Sequence, residues 1–241
     1  MANKYINTFN TTSDFKAYTA SDEMAVPNIA YLLDTDEVKY LSVIPRAVKV
    51  GSIVYDDKTF TWPDEPLADG KTPIGVVYIS QDDTPFNDDK SRVIAPKAIG
   101  RGKMSITGQN GDGSLANEND GIVCSDYYLN KFGDDSEALT KASNYTIGGI
   151  VGWYIPSLFE SNLLPYNVSN SEANENIINK SLTKIGGNII YKGNDNTWTS
   201  TNTDKWRSFM FSYYYVDTGF ADNMGSNQNY RIWPAVALKL N

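Results

Sequence analysis

Apolar and polar positions along the chain change period several times, and each change predicts an element. Around an Asp56-Asp57 turn, residues 51–60 alternate apolar with polar, the pattern of a β-hairpin. Pro73-Ile74-Gly75-Val76-Val77-Tyr78-Ile79 is an almost unbroken apolar, β-branched run, which predicts a buried strand. Nearer the start, residues 26–33 and 37–41 read as two short strands about an Asp34-Thr35-Asp36 turn, preceded by a short helix capped at Ser13. A helical period appears later: residues 174–185 place Ile177, Ile178, Leu182 and Ile185 on one face, and Gly186-Gly187 stops the helix. Between these lies a strand-to-helix corner. Tyr154 and Ile155 end an extended run, Pro156 suits a first helical turn, and Leu158, Phe159 and Leu163 recur near helical spacing. Short strands mixed with a few helices predict an α+β fold. Residues 1–44, with little apolar material, form an attachment arm or hairpin that orders against another subunit; residues 45–241 form the main domain.

Composition then removes whole classes of chemistry. The 241 residues include no His and a single Cys, Cys124. Ser-His-Asp and Cys-His sites, His-ligated metals, Cys-ligated zinc and internal disulfides all need residues absent here. Cys124 reads as a small buried apolar residue. A net charge of −8 and a pI near 4.6 oppose nucleic-acid binding. No long apolar run predicts membrane insertion, and the start of the chain lacks a signal-peptide pattern, so the expectation is assembly in a host cytoplasm. Gly108-Gln109-Asn110-Gly111-Asp112-Gly113 looks like a calcium loop, but with Asn110 first an EF-hand needs Gly and Glu where Leu115 and Gly121 stand. Asp134-Asp135 reads as a solvated helix entry and not as a catalytic pair. No metal, no cofactor and no catalytic residue is expected.

Three segments carry a family resemblance. Gly152-Trp153-Tyr154-Ile155-Pro156-Ser157, then Trp198-Thr199-Ser200-Thr201, then Arg231-Ile232-Trp233-Pro234-Ala235 resemble the signature of domains related to the C-terminus of the Legionella collagen-like adhesin (DUF1566, FISUMP). Asp69-Gly70-Lys71-Thr72-Pro73-Ile74-Gly75-Val76-Val77-Tyr78 matches a further family strand, and the resemblance spans residue 45 to the end. It implies a C-type-lectin-like domain of short antiparallel strands with two or so helices, the stretch between Ser125 and Ala142 being helical. Its signature positions here are Trp153, Pro156, Glu160, Trp198, Ser200, Arg231 and Pro234. Glu160 is expected to tie a helix start to neighbouring backbone, Arg231 to pair at a sheet end, and Trp198 and Trp233 to anchor the core. Ala235 stands where the family prefers Val. The Glu-Pro-Asn and Trp-Asn-Asp motifs of calcium-dependent animal lectins are absent.

The interval from Trp198 to Arg231 mixes aromatic residues with Asn, Asp and Ser, a composition suited to recognition. By the resemblance this interval displays the ligand site, and Tyr213, Tyr215, Asp217, Asn223, Asn227 and Asn229 are the expected ligand-binding residues. Starts of this style also resemble tailed-phage structural proteins. The expected function is that of a non-enzymatic virion protein, a head or tail fibre or decoration. Its N-terminal arm meets other virion subunits, it assembles as a homotrimer, and its head binds a host-surface or mucus glycan or protein. The alternative is a purely structural capsid or tail assembly protein.

Overall fold

A computed structural model describes residues 6–9, 29–32, 37–40, 46–108, 113–191, 197–204, 207–211, 221–224 and 229–241. The chain divides into two compact units, Met1–Ala47 and Val48–Asn241. In the first, β1 (Ile6–Phe9) pairs in parallel with β2 (Ile29–Leu32), and β2 pairs antiparallel with β3 (Glu37–Tyr40). β2 and β3 are the two strands anticipated around Asp34-Thr35-Asp36; that turn and the helix expected after Ser13 lie outside the described residues. β1 occupies the start of the stretch read as leading into that helix.

The second unit is α+β. Its elements run β4 (Ile53–Tyr55), β5 (Phe60–Thr61), β6 (Pro73–Ile79), β7 (Ser91–Ile94), β8 (Arg101–Gly102), α1 (Gly121–Phe132), α2 (Glu137–Ser143), α3 (Leu158–Asn162), α4 (Ile177–Lys184), β9 (Thr197–Asp204), β10 (Arg207–Phe211), β11 (Ala221–Met224), β12 (Tyr230–Arg231) and β13 (Ala235–Leu238). They make two five-stranded sheets, ordered β13-β7-β6-β4-β5 and β11-β10-β9-β12-β8. Pairing is antiparallel throughout except where β12 meets β9 in parallel at Arg231 and Thr197. No helix among the described residues is long and apolar enough to cross a membrane.

The first sheet forms because its strands are apolar on both faces. Val76 and Val77 of β6 and Val93 and Ile94 of β7 are fully buried, each side chain worth about 1.5–3 kcal/mol of burial. Gly75 permits the close approach of these strands, since a Cβ there would collide with the Ile94 carbonyl oxygen. α4 packs on this core through Ile178 and Leu182, which are 3% and 0% exposed. Its end follows the Gly186-Gly187 signal: Gly186 has φ of +70°, and Gly187 N–H reaches the Leu182 carbonyl at 2.7 Å. Ile177 departs from the expected face. As the first helical residue after the Asn176 cap it lies beyond the apolar stripe and is 41% exposed.

A smaller core joins α1 and α2 to the second sheet through Met104, Tyr128, Leu139, Ile155, Trp198 and Ile232. Cys124 of α1 is 0% exposed, and burial pushes its thiol up to about 12, so it behaves as a packed apolar group. Asp134 and Asp135 fall in a 3-10 turn just before α2, whose own cap is Ser136. There the Asp135 carboxylate accepts hydrogen bonds from the Thr107 backbone N–H at 2.9 Å and from the Ser105 hydroxyl, which holds it below its ordinary range.

Candidate functional site

The three signature segments, far apart in the chain, are joined by main-chain hydrogen bonds. Tyr154 and Ala235 exchange N–H···O bonds of 2.8 and 2.9 Å, which fastens the corner to β13. Ser200 N–H donates to the Pro156 carbonyl at 2.9 Å, which fastens the same corner to β9. Each segment's tryptophan is buried and spends its indole N–H on a carbonyl: Trp153 on Ile150 at 3.0 Å, Trp198 on Gly102 at 2.7 Å, and Trp233 on Ala95 at 2.7 Å. Trp198 and Trp233 are therefore core anchors, as the sequence suggests.

Glu160 sits at the centre of the corner. Ser157 caps α3, and Glu160 completes a capping box, its Oε2 accepting the Ser157 N–H at 2.8 Å. The same oxygen accepts the Gly121 N–H at 2.9 Å, so one carboxylate ties the starts of α1 and α3 together. Oε1 accepts from the Tyr154 hydroxyl at 2.7 Å and from Arg92 Nε at 3.3 Å, with the Tyr78 hydroxyl at 3.4 Å. Arg92 is fully buried and reaches two further carboxylates, Asp88 at 2.8 Å and Asp120 at 3.0 Å, while its guanidinium lies 4.3 Å from the Phe86 ring centre.

The electrostatics of this hub follow from its dryness. Burial pushes the Glu160 carboxyl up to about 7, against the pull of the Ser157 N–H, the Tyr154 hydroxyl and Arg92. Burial also raises the Tyr78 and Tyr154 hydroxyls, aided by the Glu160 charge. Paired and hydrogen-bonded charges of this kind fix geometry, because removing one leaves the others uncompensated. Sequence reasoning placed Glu160 correctly but missed Arg92, Tyr78, Asp88 and Asp120. The one signal was an arginine directly before the short apolar run Val93-Ile94-Ala95, which periodicity alone reads as the polar end of a loop.

Of the residues expected to bind ligand, Tyr213, Tyr215, Asp217 and Asn227 lie outside the described residues. Asn223 is on β11, paired with Phe209 of β10. Asn229 is exposed just before β12, and its carbonyl accepts from Arg101 Nη1 at 3.0 Å. β11 and β12 are three strand steps apart in their sheet, about 14 Å at ordinary strand spacing, so the backbone does not bring Asn223 and Asn229 together. Pro234 leads into β13, with its carbonyl accepting the Ala95 N–H at 2.9 Å. Arg231 is half-buried on β12.

A second feature borders the hub. A groove of about 450 Å³ is lined by Val48, Val50, Tyr78, Ile79, Phe159 and Leu163 among others, with Val50 and Leu163 41% and 46% exposed. It is mainly apolar and has no accessible acid–base pair in its lining beyond Asp83 and Lys49.

No family model and no curated protein matches the sequence. Among solved structures, a fimbrial protein from Bacteroides ovatus is similar in fold, with a TM-score of 0.54 and 18% sequence identity. The match covers 86% of this chain and 51% of that one, so the chain spans about half the length of that structure.

Proposed function

We propose that Val48–Asn241 is a C-type-lectin-like binding head and that the chain is a non-enzymatic attachment protein. In this reading residues 1–44 anchor a homotrimer to a tailed-phage virion, and the head binds a glycan or protein on the host surface or in mucus. The observation that carries it is the joining of the Trp153 corner, the Trp198 strand and the Trp233 strand by main-chain hydrogen bonds. The carboxylate with the strongest catalytic look, Glu160, is fully buried and engaged by five donors, which favours binding over turnover. Weak single sites gain avidity when repeated on a particle.

The fold likeness to a fimbrial protein favours a second reading, display on a bacterial surface filament, in which the head plays the same part. The test is binding of the purified full chain to an array of host-surface and mucin glycans, with and without a chelator. Saturable, chelator-resistant retention is expected. No retention, combined with particles that fail to assemble when the chain is deleted, would instead make it an assembly protein. Labelling the head on intact particles distinguishes virion from filament.

A further inference from the structure

An open pocket of about 300 Å³ lies at the β8–β12 end of the second sheet, lined by Lys97, Gly100, Arg101, Asn188, Arg231 and Trp233. Among the described residues its lining holds cations and no carboxylate, on a chain whose net charge is −8. Arg231 and Arg101 stand directly opposite each other in the antiparallel register of β12 and β8.

The pocket is also built in advance. Ile232 N–H donates to the Gly100 carbonyl, and Ile99 N–H to the Ile232 carbonyl, both at 2.9 Å, which fixes the backbone on either side. Trp233 is held beneath by its bond to Ala95. Gly100 has φ of +118° with open space where a side chain would be, so a ligand can approach its backbone. Lys97, Arg101 and Asn188 are exposed at the rim.

These groups describe their ligand. An arginine fork matches a planar carboxylate or the oxygens of a sulfate, and the Asn188 amide can both donate to and accept from hydroxyls. A pocket at the lower end of small-molecule size suits one compact anionic unit. An extended polyphosphate chain is disfavoured, because the acidic remainder of the surface repels it. We infer that the pocket formed by Lys97, Arg101, Asn188 and Arg231 binds the carboxylate or sulfate of a terminal acidic sugar on a surface glycan. This inference rests on the binding-head reading and names the ligand class for it. The Arg101 bond to the Asn229 carbonyl also connects the pocket to a residue expected from sequence to face ligand.

The experiment uses the full chain with immobilised glucuronic acid, glucose 6-sulfate and methyl glucoside, read by biolayer interferometry at two salt concentrations. Retention by glucuronic acid or glucose 6-sulfate above methyl glucoside, weakened by salt, is expected, and the stronger of the two arms says whether carboxylate or sulfate is the source. Lys97→Glu alone, and Lys97→Glu with Arg101→Glu, should lower that affinity by roughly tenfold or more while the urea midpoint stays put. Equal retention of methyl glucoside, or unchanged affinity in both variants, overturns the pocket assignment and leaves the binding head standing. Failure of the unaltered chain to retain any saccharide, charged or neutral, on the wider array overturns the binding head itself.

Discussion

Arg92 and Arg231 both sit on short strands, yet their surroundings are opposite. Arg92 is fully buried and meets three carboxylates, with hydroxyls and backbone N–H groups completing the network around Glu160. Arg231 is half-buried, faces Arg101 across its strand pair, and borders an open pocket with Lys97. The difference teaches how to sort charges by where their partners lie. A charge whose partners are all internal holds the fold, because its removal strands those partners. Cations gathered at a surface pocket against the overall charge of the molecule are the ones proposed to meet a ligand.

The largest effect should come from breaking the hub. Arg92→Met leaves Glu160 buried without its cation and should cost about 3–5 kcal/mol in urea unfolding. A loss below about 1 kcal/mol would mean that Arg92 does not secure the corner.

Next is pH. Glu160 has an ordinary value of 4.5 and a folded value of about 7, so below pH 4.5 both states carry the proton. Between 4.5 and 7 the folded chain keeps a proton that the unfolded chain releases; stability therefore falls as pH rises, by about 3 kcal/mol at most once pH exceeds 7. Urea midpoints across this range should slope downward, and Glu160→Gln should flatten the slope. A slope unchanged in that variant would assign the titration elsewhere.

Gly121→Ala comes third. Its Cβ would run into Glu160 Oε2, the Ser157 nitrogen and the Tyr154 ring, so overpacking should lower stability by about 1–3 kcal/mol. Thermal unfolding reads it, and a neutral result would show that the starts of α1 and α3 can separate freely. Smallest is Lys97→Ala, exposed at the pocket rim, which should change stability by no more than about 0.5 kcal/mol. A larger cost in the same unfolding assay would mean that the pocket is a structural feature, and the contrast with Arg92 would fail.

Of the hub, only the helix start that carries Glu160 was legible, because local rules write helix starts and stops. Ser157 and Glu160 have capping-box spacing, Pro156 precedes them, and Gly186-Gly187 ends α4 where the helical period stops. β4, β5 and β6 followed from periods of two and from β-branched runs. β7 was illegible because half of its four residues, Ser91 and Arg92, are polar, and only the spatial convergence of Asp88, Asp120 and Glu160 makes that arginine acceptable in a buried strand. The pocket was hidden for a similar reason. Lys97 and Arg101 are distant in sequence from Arg231, and β12 reaches β8 and β9 by pairings of long range. Arg231 alone reads as one residue of a terminal strand motif.

The most direct test of the whole account is a pair of readings on one protein, the full chain carrying Lys97→Glu and Arg101→Glu. With both cations reversed, the account predicts an almost unchanged unfolding midpoint and an acidic-sugar affinity reduced by about an order of magnitude. Undiminished binding by that protein would contradict it.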